Sequence, residues 1–274
     1  MAPGRAPFDW RGTLLLALAL SALVIGVGRG RDASPLLLGL GLVLVAMFVI
    51  AEKRHPSPVT DLSLLREPVF LASGGVIAFQ NLAMYALLFE LPATCARVLG
   101  AKPSQTGPLL VAFMAPVVML SPVAGRITDA IGARSVSLIG TVLAAAGAGT
   151  LLCTPLRSLS ALVPGLVIFG IGLAFSGSPA QSAGMSAIPA GRSGVAAGMM
   201  ATMRYLGGVA GTVVLGITLE DPELHDQVAG HSAALAAHHS ALLSFTLALV
   251  LAVGCAFFLP GKTRPRRADG AAAA

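Results

Sequence analysis

The sequence is poor in charge, since Asp, Glu, Lys and Arg together make up only 11% of its 274 residues. Soluble globular domains carry about a quarter charged residues, so a soluble fold is excluded. Hydrophobic residues instead make up 55% of the chain, and the mean hydropathy is +0.84. Apolar segments cross a bilayer as helices, which satisfy their own backbone polar groups. The composition therefore predicts an all-α integral membrane protein that has the lipid bilayer as a partner.

Cysteine is also scarce, and the side chains that catalysis or metal binding would need are scattered. The three cysteines lie in or near apolar runs: Cys95, Cys153 and Cys255. They indicate neither a disulfide framework nor a metal site. Four histidines share one late stretch at irregular spacing: His225, His231, His238 and His239. This spacing favours a solvated outer loop over metal binding. No nucleophile–base pair or phosphate loop is evident, so we expect no enzyme activity and no cofactor.

What the sequence has in abundance is apolar runs separated by short polar stretches. The runs predict eight transmembrane helices, over residues 12–28, 35–51, 68–91, 108–124, 135–152, 162–188, 194–219 and 241–259. Pro179 is expected to interrupt the sixth helix, and glycine pairs in the sixth and seventh helices are expected to pack against neighbours. Residues 261–274 are basic and alanine-rich and are expected to be disordered.

The Lys and Arg residues are distributed unequally between the two sides of the eight predicted helices. The side of the amino terminus receives twelve of them: Arg5, Arg11, Lys53, Arg54, Arg66, Arg126, Arg134, Arg192, Lys262, Arg264, Arg266 and Arg267. The other side receives five: Arg29, Arg31, Arg97, Lys102 and Arg157. Basic loops stay in the cytoplasm, so both termini are expected there. We therefore interpret the net charge of +6 as a result of the basic residues that orient the protein in the membrane, and we expect no nucleic-acid partner.

One charged stretch, residues 125–134, separates the fourth and fifth predicted helices. Gly125 and Gly132 allow a tight reversal, while Arg126 and Arg134 place positive charge at a membrane edge on either side of Asp129. The pattern resembles the signature loop of the major facilitator superfamily. It differs where the family usually has basic residues and this chain has alanine, at positions 130 and 133.

The position of this stretch resembles one branch of that superfamily. The family's signature lies between the second and third helices of a six-helix bundle, whereas here it follows the fourth helix. The order resembles the fourteen-helix drug:proton antiporter branch (EmrB/QacA type), in which two central helices separate two bundles. Residues 188–198 and 204–208 are similar to the branch's penultimate helix and the loop before it. The resemblance implies two leading helices with a cytoplasmic loop (1–67) and a C-terminal six-helix bundle (68–260), with the first bundle missing.

The resemblance also implies a function. Such proteins export small molecules, often cationic or amphipathic, across the plasma (inner) membrane in exchange for protons, and two bundles alternate access to a midplane site. The partner would be the missing N-terminal bundle or a second copy of the chain. The signature stretch is then a gating loop, formed by Gly125, Arg126, Asp129, Gly132 and Arg134. Two alternatives stay open: the stretch only sets topology, or the chain is a non-transporting membrane interaction protein or a relic of a truncated gene.

The family lines its cavity with the first helix of each three-helix repeat, here the third and sixth helices. The substrate-pathway candidates are Gln80, Asn81, Tyr85, Ser178, Gln181 and Ser182. Hydrogen bonding between helices is the alternative role for them. Glu90 is a candidate for proton coupling, against the alternative of a solvated helix end beside Pro92. Arg204 lies inside its span, and either contacts substrate or snorkels to the cytoplasmic face or a backbone carbonyl.

Overall fold

The computed structural model of the protein describes residues 10–27, 34–54, 62–219 and 230–262. These residues form eight α-helices: α1 (Trp10–Val27), α2 (Pro35–Arg54), α3 (Pro68–Leu99), α4 (Pro103–Ile131), α5 (Ala133–Cys153), α6 (Leu159–Ser186), α7 (Ser193–Leu219) and α8 (Gly230–Ala256). Two short 3₁₀ helices, Leu62–Arg66 and Ala190–Arg192, precede α3 and α7. The described residues contain no strand. The predicted all-α class and its eight helices are confirmed.

The chain is a multi-pass membrane protein. Within the described residues, α3, α4, α5, α6 and the Leu235–Ala256 part of α8 are long and apolar enough to cross a bilayer, and α1 and α2 contain shorter apolar stretches. Large apolar side chains cover the outside as well as the core. Leu36 is 82% exposed and Met119 73% exposed, which suits a surface in contact with lipid tails.

The packing of α3 to α8 repeats itself. The helix α3 packs against α7 and α8, and α6 correspondingly packs against α4 and α5, while α3 and α6 also pack against each other. The first helix of each three-helix unit thus packs against the second and third helices of the other unit, and α3 and α6 form the central pair. The helices α1 and α2 pack mainly against one another, and α1 also contacts α7. The division of the chain at residue 67 and the disorder of residues 261–274 remain predictions, and residues 263–274 lie outside the described residues.

Glycines let the central helices approach closely. A methyl group on Gly172 would lie 2.5 Å from the Cα atom of Ala144, so α5 and α6 pack backbone to backbone. Gly207 and Gly211 of α7 face the carbonyls of Ala78 and Leu82 in α3. The predicted packing role of these three glycines is confirmed. For the predicted pair Gly194 and Gly198 in α7 it is not found among the described residues, where no neighbouring group lies within 4 Å of a Cβ built on either.

Several predicted helix ends were wrong, in most cases because the helix continues further, although α6 ends at Ser186 and α8 at Ala256, before their predicted ends at 188 and 259. The helix α4 runs on to Ile131, so residues 125–131 are helical and Gly132 alone separates it from α5. The helix α3 continues through Pro92 to Leu99, and α6 continues through Pro179. The helix α8 begins at Gly230, so His238 lies in a helix and not in a loop. Polar residues can extend a helix beyond the apolar layer, and neighbouring helices can satisfy the carbonyls that a proline leaves free.

Candidate functional site

A line of polar contacts joins α3, α6 and α7 inside the bundle. Ser176 of α6 donates a hydrogen bond of 2.6 Å from its hydroxyl to the Gln80 side chain of α3. Gly177 allows this contact, since any side chain there would meet the Gln80 amide. Ser176 is buried and Gln80 half-buried. Gln80 therefore links two helices and also retains partial exposure.

A second polar contact lies five residues further along α6. Gln181 accepts a hydrogen bond of 2.8 Å at its side-chain oxygen from the guanidinium of Arg204 in α7. Arg204 is exposed and its partner is a side chain on a neighbouring helix, while its two predicted roles, substrate contact and snorkelling, remain predictions. An amide oxygen satisfies one guanidinium donor without neutralising the charge. We call Gln80, Ser176, Gln181 and Arg204 the polar seam.

The other predicted pathway residues lie beside this seam or apart from it. Asn81 is buried and its amide donates to the Ile77 carbonyl of its own helix, 2.7 Å away. Tyr85 is half-buried, and its ring packs against Gly208 of α7. Ser178 is half-buried next to Gly125, and Ser182 is exposed. The structure thus brings Gln80 and Gln181 into contacts between helices, and ties Asn81 to its own helix.

The end of the signature stretch holds the segment that follows α8. Gly132 has φ +91°, and a Cβ there would lie 2.5 Å from the backbone nitrogen of Lys262. Arg134 donates from Nε to the Leu259 carbonyl at 2.8 Å, and its backbone N–H donates to the Pro260 carbonyl at 3.0 Å. Only glycine combines this backbone conformation with so close an approach. These two signature residues therefore fix the start of α5 against the end of α8.

The two charged signature residues on α4 face outward. Asp129 and Arg126 are exposed on the last turns of α4. Among the described residues, Asp129 forms no ion pair with Arg126 or Arg134, although it lies near both in sequence. It lines a cavity of about 630 Å³, together with Glu67, Val69, Thr128, Gly132, Ala133, Ser182, Ala183, Ser186, Ala187, Pro260, Gly261 and Lys262. The Asp129 carboxylate thus remains available to a group outside this bundle.

Glu90 is buried between α3 and α8, not solvated at a helix end. Its side chain is 0% exposed. Oε1 accepts a hydrogen bond of 2.5 Å from the Thr94 hydroxyl and is in hydrogen-bond contact with His238 Nδ1 at 2.6 Å. His238 is 3% exposed, so its expected place in a solvated loop was wrong. The alanine-rich run before residue 241 was the missed signal, because alanine favours helix. A second signal was Glu90 itself, because a single carboxyl group in an apolar helix needs a polar partner.

No described group of three or more His, Cys, Asp or Glu side chains has the arrangement of a metal site. The three cysteines are not paired with one another: Cys95 is buried, Cys153 exposed and Cys255 half-buried. His238 and His239 lie with ring centroids 6.0 Å apart, but only His238 faces the core. The polar contacts that this bundle offers are therefore the hydrogen bonds along the seam and the buried contact between the Glu90 carboxyl and the His238 imidazole.

Comparison with known proteins shows one family. The sequence model described as Major Facilitator Superfamily matches residues 6–212. The chain is 33% identical over 174 residues to the Multidrug resistance protein Stp of Mycobacterium tuberculosis, a match that covers 64% of this chain and 32% of that protein. It is 30% identical over 178 residues to the Uncharacterized transporter YebQ of Escherichia coli, covering 63% and 38%. It is 25% identical over 189 residues to the Multidrug resistance protein B homolog of M. tuberculosis, covering 68% and 35%. The chain thus matches about a third of the length of these curated relatives.

Proposed function

We propose that this chain, which belongs to the Major Facilitator Superfamily, supplies one six-helix bundle of a proton-coupled exporter of small molecules. The bundle comprises α3 to α8, and it works with a second bundle from elsewhere in the transporter or from another copy. Pairing of α1 with α2 ahead of this bundle supports membership of the fourteen-helix antiporter branch, in which two helices lie between the bundles.

The observation that carries the proposal is the polar seam on the central helices. Polar side chains inside a membrane protein face other protein groups or a water-filled cavity, because exposure to lipid is costly. Gln80 and Gln181 retain partial exposure, and Arg204 is exposed although it lies within an apolar helix. We place the substrate pathway along this seam, flanked by Tyr85, Ser178 and Ser182. Asn81 has a structural role, because its amide is bonded within α3.

Replacing Gln181 with leucine in the complete transporter is expected to lower the transport rate about tenfold, with normal amounts in the membrane. The change removes the acceptor for Arg204 and an amide from the pathway, and losing a partner of a charged group costs about 1.5–3 kcal/mol. The measurement is efflux of a cationic dye from cells. Thr202→Val is the matched control, because the Thr202 hydroxyl bonds only to the Gly198 carbonyl of its own helix. Equal efflux from both variants would remove Gln181 from the pathway.

The signature stretch is proposed as the gate of this bundle. Asp129 is exposed beside a cavity and unpaired by its neighbouring arginines, so it is free to bind a donor on the opposing bundle in one facing state. Gly125 lies beside Ser178, which connects the gate to the pathway. Gly132 and Arg134 hold the gate against the end of α8, while Arg126 marks the membrane edge.

Asp129→Asn is expected to reduce efflux several-fold without changing insertion, because it removes the charge and nearly retains the shape. Initial rates at matched membrane amounts measure the effect. The control is Glu67→Gln, which neutralises an exposed carboxylate lining the same cavity. If both variants transport like the original protein, the stretch acts only as a topology signal.

The proposed location is the plasma (inner) membrane, with both termini and residues 52–67 in the cytoplasm. The excess of Lys and Arg on that side supports this orientation. We expect a cysteine at Ser232 to react with an impermeant thiol reagent applied to intact cells, and one at Ser57 to react only after permeabilisation. Both are introduced after removal of the three native cysteines. The opposite labelling pattern would reverse the orientation.

A further inference from the structure

We infer that Glu90 and His238 form one proton-binding site that holds α3 against α8, and that release of its proton loosens this contact. The inference deepens the proposed function and rests on it for its role in transport, because it identifies where this bundle would carry the coupled proton. The evidence comes from the geometry of the pair, its unpartnered atoms and its distance from the charged side chains of α4 and α7.

Two polar groups, one from each helix, contact the same carboxyl oxygen of Glu90. Glu90 Oε1 accepts from Thr94 on its own helix at 2.5 Å and lies 2.6 Å from His238 Nδ1 on α8. The residues that form the contact come from positions 148 apart in the sequence, so the pair is a tertiary link between two helices. Buried polar contacts of this kind specify how helices pack.

Only one polar side-chain atom of each residue in the pair has a hydrogen-bond partner. Glu90 Oε2 and His238 Nε2 are both buried, and neither has a hydrogen-bond partner among the described residues. Buried polar atoms are nearly always bonded, and exceptions often have a chemical role. One of these atoms can hold a proton while the Oε1–Nδ1 contact stays in place. The pair therefore has a site for a proton that structural bonding does not use.

Among the described side chains on the helices around Glu90, Cys95 and His239 are titratable groups close to the pair, and the charged groups of α4 and α7 lie far from it. The helix α6 has none, and α4 has Arg126 and Asp129 at its opposite end. The helix α7 has Arg204 and Tyr205, close to the level of Gly207 and Ala78, about three turns from Glu90.

On α8, His239 is exposed and Cys255 lies beside Gly75. On α3 itself, Cys95 is buried one turn away and Arg97 is exposed in the last turn.

The total charge of the pair decides its stability in this apolar setting. With one exchangeable proton bound, the pair is neutral overall, either as carboxylate with imidazolium or as carboxylic acid with imidazole. When that proton leaves to water, a carboxylate and a neutral imidazole remain, with one uncompensated negative charge. Such a charge is costly in a low-dielectric interior. Water or a cationic molecule must then reach the site, which requires α3 and α8 to move apart.

The test uses the full chain in lipid, without any substrate. Infrared difference spectra between acidic and alkaline pH are expected to show, as pH rises, the loss of a band of the protonated pair, which belongs to either the carboxylic acid or the imidazolium. Glu90→Gln, which keeps an oxygen acceptor for Thr94 and His238, should remove this band, and His238→Gln should shift its midpoint by at least one pH unit. The control Glu67→Gln should leave it unchanged. If Glu90→Gln does not fold, Glu90→Asp must alter the band.

Movement is measured by spin labels at Phe89 and Leu243, which are 54% and 56% exposed on α3 and α8, after the native cysteines are replaced. Their separation should increase as the band disappears, and should not change with pH in the Glu90→Gln variant. If the band is unchanged in both the Glu90 and the His238 variants, the proposed proton site is wrong. If the band titrates but the distance between the spin labels stays constant, the proposed loosening of α3 from α8 is wrong. Neither result depends on transport, so a loss of the proposed exporter function would be recognised separately, in the efflux assay.

Discussion

Alanine in place of Gly147 is expected to lower the free energy of unfolding by about 3 kcal/mol, as overpacking of a tight interface does. A Cβ at this position would lie 2.6 Å from the Cα atom of Phe169 and 2.8 Å from its Cβ. These are backbone-proximal atoms of a buried residue in α6, so the methyl group has no flexible neighbour to displace. The two helices must separate, although they form the most extensive contact in the bundle.

Gly149, two residues further along α5, provides the matched control. In the part of the chain that the structure describes, no neighbouring group lies within 4 Å of a Cβ built there, so Gly149→Ala is expected to be neutral or to stabilise the helix by up to about 1 kcal/mol. The measurement is the midpoint of unfolding when a denaturing detergent is titrated into protein in mild micelles. Equal losses for the two variants would show that α5 and α6 do not pack as described.

The sequence predicted the number and class of helices well, because a long apolar run has few alternatives in a bilayer. It predicted their ends poorly. Residues 125–131 were interpreted as a turn because they carry charges and a glycine, yet α4 retains its helical hydrogen bonds as far as Gly132. Charge marks where a helix leaves the apolar layer, and the helix itself can continue into the interface.

The candidate site was predictable only in part, and for a related reason. Gln80, Gln181 and Arg204 stood out as polar residues in apolar runs, but Ser176 did not, because its importance comes from lying opposite Gln80. Glu90 was noticed, whereas its partner His238 was assigned to a loop. A contact between positions so far apart in the chain depends on how helices pack, which one sequence does not specify.

The second large effect concerns export itself. We expect the 274-residue chain alone to show no proton-driven movement of cationic dyes in liposomes, because alternating access requires two bundles around one site. Glu90 is the single buried acidic side chain among the residues whose burial is described, so these residues offer only one buried carboxyl group to the proposed proton coupling. A second bundle should restore transport.

The most direct test joins this chain to the part of Stp that precedes their shared region, and reconstitutes the chimera beside the chain alone and intact Stp. An imposed proton gradient should move dye with the chimera, at a rate that Gln181→Leu lowers, and should give only the empty-liposome signal with the chain alone. Gradient-driven movement by the chain alone, abolished by Glu90→Gln, would contradict the need for a second bundle. A correctly inserted chimera that moves no dye, beside active Stp, would contradict the proposal that this chain is an exporter bundle.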